Sequence, residues 1–192
     1  MLIDALEALE KDGGGDGSGR AEPVIVRRER QQDVVAIAAV TRAAFLPSAG
    51  GGEPVEVGLV EALRSSDAWL PALSLVAVAE GDEVIGHVLC TRAHVGDEPA
   101  LGLGPLSVRP DWQRRGVGSA LMHAVLGAAE ALGEPVVVLL GSPGYYGRFG
   151  FGPAAACGIT PPVPEWRGAF QVRVLARPLA GPFAYARPFM EL

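Results

Sequence analysis

The chain has 192 residues, of which 49% are apolar and 20% are charged, and its formal net charge is −6. This length suits one globular domain with a sizeable core, and no apolar run reaches the roughly 18 residues that a membrane-spanning helix needs. The acidic balance argues against a general nucleic-acid binder, which requires a basic surface.

The N-terminal residues 1–22 combine a short stretch of helical spacing with a glycine-rich segment at residues 13–19. We expect a flexible N-terminal extension followed by one domain over residues 23–192. The N-terminus is acidic and lacks the basic-then-apolar pattern of a signal peptide, which predicts a cytoplasmic protein. The two cysteines, Cys90 and Cys157, have no metal-ligand spacing, and we expect no metal site.

The first half of the domain is predicted to contain two helices and three strands. Apolar residues recur at helical spacing over residues 31–45 and 57–64, and the glycine-rich loop 47–54 separates the two helices. This loop is either a substrate-gating lid or a plain surface loop. Short apolar runs predict strands at residues 24–28, 73–79 and 84–95, with a hairpin turn at residues 80–83.

The second half predicts a strand–helix–strand unit. A turn at residues 96–99 leads to the apolar run 103–108, which ends before Pro110, because the residue preceding a proline is kept out of helical geometry. Helical spacing then continues over residues 117–132, and residues 135–140 form a buried strand. Together with a late strand at residues 170–175, these elements predict an α/β fold with a mixed sheet. We expect the aromatic side chains of the tail to cover this sheet rather than bind a ligand: Phe183, Tyr185 and Phe189.

Between the strand and the helix of this unit lies a basic, glycine-rich turn, Gln113-Arg114-Arg115-Gly116-Val117-Gly118-Ser119. The first N–H groups of a helix lack internal partners, and the helix dipole places partial positive charge there. Gly116 and Gly118 carry no side chain, so an anion can approach the backbone. Arg114 and Arg115 add charges suited to phosphate oxygens. The turn therefore predicts a phosphate or pyrophosphate site; the alternative is a solvated basic loop in front of a helix.

This turn resembles the Q/R-x-x-G-x-G/A motif of the GCN5-related N-acetyltransferase (GNAT) superfamily. A second block, VVVLLGSPGYYGRFGF at residues 136–151, resembles the family's fifth strand and its Y-x-x-x-G-F signature, here Tyr146, Gly150 and Phe151. Both blocks occur in the family's order and spacing, and the resemblance spans about residues 23–160. The chain is most similar to small bacterial members with a GDPxYYxRFGF-type block, although Ser142 stands where these usually carry an acidic residue.

The resemblance implies a GNAT fold, which is a mixed, mostly antiparallel central sheet of about six or seven strands, flanked by helices and splayed at its central strands. It implies acetyl-CoA as co-substrate, with the pyrophosphate held by the glycine-rich turn and the pantetheine arm paired with the preceding strand. Carried over residue by residue, the cofactor-binding set is Leu106, Ser107, Val108, Gln113, Arg114, Arg115, Gly116, Val117, Gly118, Ser119, Gly141, Ser142 and Tyr146.

By the same resemblance, Tyr146 lies beside the coenzyme A sulfur and acts as the general acid for the leaving thiolate. The alternative role of Tyr146 is packing against the pantetheine, and Tyr145 either lines the acceptor side or belongs to the core. The general base stays open, because residues 101–108 contain no carboxylate. Deprotonation through water is one option, and the candidate side chains are Glu53, Glu56, His87, His94, Asp97 and Glu98.

The leading interpretation is an N-acetyltransferase that moves an acetyl group from acetyl-CoA to a primary amine of a small molecule or peptide. The alternatives are transfer of a longer acyl group and a non-catalytic acyl-CoA-binding module. A Rossmann site is disfavoured because no G-x-G-x-x-G follows an early strand, and a P-loop because no Gly-Lys-Ser/Thr element is present. We expect no nucleic-acid or membrane partner; homodimers are common among proteins that resemble this one.

Overall fold

A computed structural model gives the fold of residues 23–46 and 50–191. The predicted N-terminal extension and residues 47–49 of the predicted loop lie outside these described residues. The helices are α1 (Val34–Phe45), α2 (Val55–Arg64), α3 (Val117–Ala131) and α4 (Pro143–Tyr146). The strands are β1 (Ile25–Arg28), β2 (Ser74–Val78), β3 (Val84–Val95), β4 (Glu98–Val108), β5 (Val136–Leu140), β6 (Gly152–Pro153), β7 (Ile159–Thr160), β8 (Phe170–Val174) and β9 (Gly181–Ala184).

The described strands form one mixed sheet, as predicted. Seven of them follow the order β1-β2-β3-β4-β5-β8-β6, and β9 pairs with the end of β3 and with β7. Neighbours are antiparallel except for the pairs β4–β5 and β7–β9, which are parallel. A parallel pair needs a crossover connection, and α3 supplies it between β4 and β5.

The two central strands separate part-way along their length, which confirms the predicted splay. β4 pairs with β5 only at Leu101↔Val137 and Gly102↔Val138. Beyond Gly102, β4 continues along β3 as far as Val108, whereas β5 stays paired with β8 from Val136 to Leu140. Pro105, which cannot donate a backbone hydrogen bond, follows a cis peptide bond at the irregularity where β4 gains one residue against β3. The remainder of β4 therefore leaves one backbone edge without a strand partner in the described part of the chain.

Helices cover both faces of this sheet. α3 lies on one face, where Leu121 and Leu139 belong to the same buried cluster. α1 and α2 lie on the other face, where Ile37, Leu59 and Leu89 are fully or almost fully buried. Each such side chain stabilises the fold by about 1.5–3 kcal/mol through removal from water. Helices therefore cover both faces of the sheet.

Several boundaries differ from those that the sequence predicts. β4 is one strand from Glu98, because it pairs in register with β3 back to the Gly96-Asp97 turn. α2 begins at Val55, directly after the extended Pro54, and α1 begins at Val34 after a 3-10 turn. β9 has no strand signal in the sequence; its pairing with the end of β3 decides its conformation.

Candidate active site

The glycine-rich turn leads from the end of β4 into α3 through two residues with positive φ. Arg114 has φ +59° and Gly116, the N-cap of α3, has φ +84°. The Gln113 side-chain amide donates a hydrogen bond of 3.0 Å to the carbonyl of Val108 and so fixes the turn to the strand end. Gln113 therefore serves the predicted site by positioning the turn.

The start of α3 offers unpaired backbone donors. The first intrahelical bond runs from the Ala120 N–H to the Gly116 carbonyl, so the N–H groups of Val117, Gly118 and Ser119 have no helical acceptor. A Cβ placed on Gly116 would meet nothing within 4 Å, which shows open space beside the backbone. Gly118 and Ser119 line the pocket that we call the anion pocket, together with Val108, Gln113, Arg114, Gly116, Tyr145 and Arg148.

Three arginines are placed differently around the anion pocket. Arg114 and Arg148 line it, and the Arg148 guanidinium lies 4.9 Å from the ring centroid of Tyr145. The guanidinium of Arg115 instead lies 5.1 Å from the ring centroid of Trp112, and Arg115 does not line the pocket. The sequence reasoning selected Arg115 and missed Arg148, although Arg148 lies within the second motif block.

A second, apolar cleft lies where β4 leaves β5; we call it the apolar cleft. Its floor is formed by residues 103–106 of β4 and by Leu140 at the end of β5. Aromatic side chains from α1, α4, the 3-10 turn Pro164–Gly168 and the tail complete it, namely Phe45, Tyr146, Trp166, Tyr185 and Phe189. The tail aromatics thus do more than cover the sheet, because two of them line this cleft.

The anion pocket and the apolar cleft share no lining residue, but both are lined by residues of β4 and α4. The anion pocket is at the N-terminus of α3, whereas Phe189 and Tyr185 of the apolar cleft pack with the cluster of α1 and α2. Adjacent residues connect them, since Tyr145 lines the first pocket and Tyr146 the second. The two pockets are therefore neighbours along the open edge of β4.

Tyr146 is buried and closely packed where it lines the apolar cleft. It ends α4, is only 4% exposed, and makes edge-to-face contacts with Tyr145 and Phe151 at centroid distances of 4.9 and 5.9 Å. Burial raises the pKa of the Tyr146 phenol, with a smaller contribution from Tyr145, so the phenol is protonated at neutral pH. The side chain can therefore donate a proton or a hydrogen bond into the cleft.

The remaining predicted cofactor residues lie at the end of β4 and directly after β5. Leu106, Ser107 and Val108 pair with β3 but not with β5. The buried Ser107 hydroxyl lies 3.3 Å from that of Thr41, so this side chain has its contact within the core. Gly141 follows β5, but its N–H and carbonyl are already bonded to Ala169 and Gln171. The carbonyl of Ser142 accepts the Tyr146 N–H at 3.0 Å and so anchors α4.

His87, a candidate base, is fully buried on the face covered by α1 and α2. Its Nε2 lies 3.0 Å from the Ser74 hydroxyl and 3.5 Å from a Glu29 carboxylate oxygen, and no partner for Nδ1 occurs among the described residues. Burial lowers the pKa of His87 despite the nearby Glu29. Burial also raises the pKa of Glu29, but hydrogen bonds from His87, Arg64 and Ser74 outweigh it and lower this pKa to about 2. The cluster has the character of a buried structural network.

The other candidate bases also lie away from the apolar cleft. Glu53 and Glu98 form ion pairs with arginines at the surface, and His94 and Asp97 are exposed. Glu56 is buried, and burial raises its pKa. As far as the described residues form it, the cleft is lined by none of the six candidates. The general base therefore stays unassigned.

The sequence model of the Acetyltransferase (GNAT) family matches residues 44–151, which is more than half of the chain. The chain belongs to the GNAT family. Two Escherichia coli members, both named as uncharacterised N-acetyltransferases, are similar in sequence. YhbS is 34% identical over 155 residues, covering 80% of this chain and 88% of YhbS. YjhQ is 38% identical over 117 residues, covering 57% of this chain and 64% of YjhQ.

Crystal structures of GNAT proteins with bound cofactor share this fold. E. coli YhbS in complex with CoA matches with a TM-score of 0.81 and 29% identity, covering 91% of this chain and 96% of YhbS. A GNAT acetyltransferase from Brucella melitensis in complex with acetyl-CoA matches with a TM-score of 0.73 and 34% identity, covering 88% and 99% of the two chains. The predicted fold and the family resemblance are thus confirmed.

The described residues were also compared with the requirements of a membrane-spanning helix and of a metal site. None of its helices is both long and apolar enough to cross a membrane. Within the same residues, no group of three or more His, Cys, Asp or Glu side chains is placed to hold a metal ion.

Proposed function

We propose that this GNAT protein binds acetyl-CoA between β4 and β5 and transfers the acetyl group to a primary amine. The observation that carries the proposal is the separation of β4 from β5 after Gly102, which leaves an open edge of β4 that contributes to both the anion pocket and the apolar cleft. The CoA and acetyl-CoA complexes of the YhbS and Brucella proteins support it. Acetyl-CoA would supply an acyl group activated as a thioester.

The anion pocket fits a pyrophosphate. The unpaired N–H groups of Gly118 and Ser119, the positive end of the α3 dipole and the guanidinium groups of Arg114 and Arg148 all favour negative charge. The open space beside Gly116 admits phosphate oxygens to hydrogen-bonding distance of the backbone. In this assignment the unpaired edge of β4, from Leu106 to Val108, holds the pantetheine arm by backbone hydrogen bonds, with Gly141 and Ser142 on the opposite side.

Tyr146 is assigned to the leaving thiolate. Amide formation moves one proton in total from the amine nitrogen to the sulfur, whose thiol has an ordinary pKa of about 8.5. Because the raised pKa keeps the Tyr146 phenol protonated at neutral pH, the phenol can donate a hydrogen bond or a proton to the sulfur there. The alternative of a non-catalytic acyl-CoA-binding module predicts binding without turnover.

The pyrophosphate assignment is tested by calorimetric titration of acetyl-CoA into three single variants. Arg114→Ala and Arg148→Ala should each weaken binding about 10-fold or more, since a charge-assisted hydrogen bond contributes about 1.5–3 kcal/mol. Arg115→Ala is the matched control and should change the affinity less than about 3-fold, because its guanidinium lies against Trp112. Unchanged affinity in both pocket variants would remove the assignment.

A further inference from the structure

The apolar cleft carries no charged side chain among the described residues that line it. Its walls are the aromatic side chains Phe45, Tyr146, Trp166, Tyr185 and Phe189, set against the backbone of β4. The polar side-chain groups of this lining are the phenols of the two tyrosines and the indole N–H of the tryptophan, all uncharged at neutral pH. The enclosed cavity of the cleft is about 50 Å³, and the cleft opens to solvent beyond it.

This lining discriminates among amines by charge. An amine attacks a thioester only in its neutral form, and an apolar environment lowers the pKa of an ammonium group by disfavouring its charged state. The cleft can thus deliver a neutral amine without a carboxylate base in its wall. A second ammonium on the same molecule, or a carboxylate, would find no opposite charge here and would be costly to bury.

The Tyr185 ring lies at the fork, by which we mean the point where β4 and β5 separate. Gly102 is the last residue of β4 that pairs with β5, and a Cβ on it would lie 3.0 Å from the Tyr185 ring. The absence of a side chain at Gly102 therefore leaves room for the Tyr185 ring. The centroids of Phe183 and Phe189 lie 4.6 and 4.8 Å from that of Tyr185, so the ring is wedged between neighbours. Burial raises the pKa of the Tyr185 phenol, and the electrostatic effect of Tyr146 raises it further.

We propose that the acceptor is a primary monoamine with an aromatic or aliphatic body, and that Tyr185 positions this body beside the acetyl group. The proposal rests on the proposed function and adds the class of acceptor and a specificity-determining residue. The amine nitrogen lies toward Tyr146 and the floor of β4. The apolar body lies against the rings of Tyr185 and Phe189.

The first experiment compares matched amines as acceptors, with release of free CoA thiol as the readout. Hexylamine and 1,6-diaminohexane differ chiefly by a terminal ammonium, and 3-phenylpropylamine adds a ring. We expect turnover of the two monoamines and a kcat/KM for 1,6-diaminohexane at least about 50-fold below that of hexylamine. Equal or preferred use of the diamine would overturn the proposal.

The second experiment assigns the selectivity to Tyr185. Tyr185→Ala should lower kcat/KM for 3-phenylpropylamine about 10-fold or more, whereas Tyr185→Phe should retain most of it, because the ring provides the contact. The calorimetric affinity for acetyl-CoA should stay within about 2-fold in both variants, which also shows that they fold. Arg187→Ala is the control from the same tail, since that side chain is exposed and outside the cleft. An unchanged preference in Tyr185→Ala would contradict the assigned role.

A longer acyl chain is the competing occupant of the apolar cleft. If it binds there, hexanoyl-CoA should bind more tightly than acetyl-CoA, and Tyr185→Ala should abolish the difference; this result would overturn the proposal. Binding of acetyl-CoA with no turnover of either monoamine would also overturn it while leaving the cofactor site intact. Failure of acetyl-CoA to bind would instead refute the proposed function on which the inference rests.

Discussion

Tyr145 and Tyr146 are adjacent in the chain, yet their rings belong to different pockets. Tyr145 lies against the start of α3, and a Cβ on Gly118 would lie 2.7 Å from its hydroxyl oxygen. Tyr146 lines the apolar cleft instead. The motif predicts a tyrosine at the reacting group, but only the direction of the short helix α4 shows which pocket each ring enters.

Replacement of the phenol at position 146 tests its assigned role. Tyr146→Phe should reduce kcat about 100-fold, in the range observed for loss of an acid–base group, while the affinity for acetyl-CoA stays nearly constant. Tyr145→Phe serves as the matched control and should retain turnover, because its hydroxyl faces α3. The measurement is steady-state CoA release at saturating acetyl-CoA. A Tyr146→Phe enzyme with full kcat would reduce Tyr146 to a packing residue.

The close approach of Tyr145 to Gly118 gives a second prediction at this scale. Gly118→Ala should force the phenol ring to shift and should destabilise the protein by about 1–3 kcal/mol, as overpacking usually does. The double variant Gly118→Ala/Tyr145→Phe should recover most of this loss, because it removes the oxygen that the new methyl group meets. Chemical denaturation of the four proteins of the cycle measures the coupling; additive effects would show that the contact is not the cause.

At the scale of elements, the strand–turn–helix unit from β4 to α3 combines local and tertiary determinants. Pro110 and the positive φ of Gly116 act locally to end the strand and to begin the helix. The length of β4 does not follow from its own sequence, since its first residues are held as a strand by the last residues of β3 across the Gly96-Asp97 turn. Its separation from β5 is visible only in the strand pairing, since β4 stays with β3 beyond Gly102 while β5 stays with β8.

At the scale of the whole molecule, a buried polar network links elements that are distant in sequence. Arg64 at the end of α2 bonds to Glu29 after β1 at 2.7 Å, and Glu29 lies within reach of Ser74 on β2 and His87 on β3. Neutral His87 is compatible with this buried site, whereas its protonated form is disfavoured by burial. The network therefore makes the stability of the whole domain depend on pH.

We expect the domain to lose stability as the pH falls below about 6.5. Because the pKa of His87 is lowered in the folded state, the unfolded chain binds this proton first, and the free energy of unfolding falls by up to about 1.4 kcal/mol per pH unit. At higher pH neither state is protonated there, so this dependence vanishes. Thermal denaturation between pH 5 and pH 8 measures it.

Two histidine variants isolate the contribution of His87 from that of carboxylates such as Glu56. His87→Gln should flatten the stability profile between pH 6.5 and pH 5, even though its stability is lower throughout. His94→Gln, at an exposed position of the same strand, should keep the wild-type profile. Parallel profiles for the wild type and His87→Gln would show that another group titrates.

The amino-acid sequence by itself determined the features that rest on local chemistry. The order of α1 to α3, of β1 to β5 and of β8 follows from apolar periodicity, and the predicted phosphate site follows from glycines and arginines at one helix start, since both signals lie within a few consecutive residues. The two motif blocks indicated the GNAT family and the splayed sheet that accompanies it.

Tertiary structure decided everything that depends on residues far apart in the chain. It placed Arg148 rather than Arg115 in the anion pocket, and it brought Tyr185 of the tail to the fork beside Gly102. It also buried His87 beneath two helices, where this side chain is not accessible to act as a base. These outcomes depend on which side chains meet across the sheet, and no local pattern in the sequence carries that information.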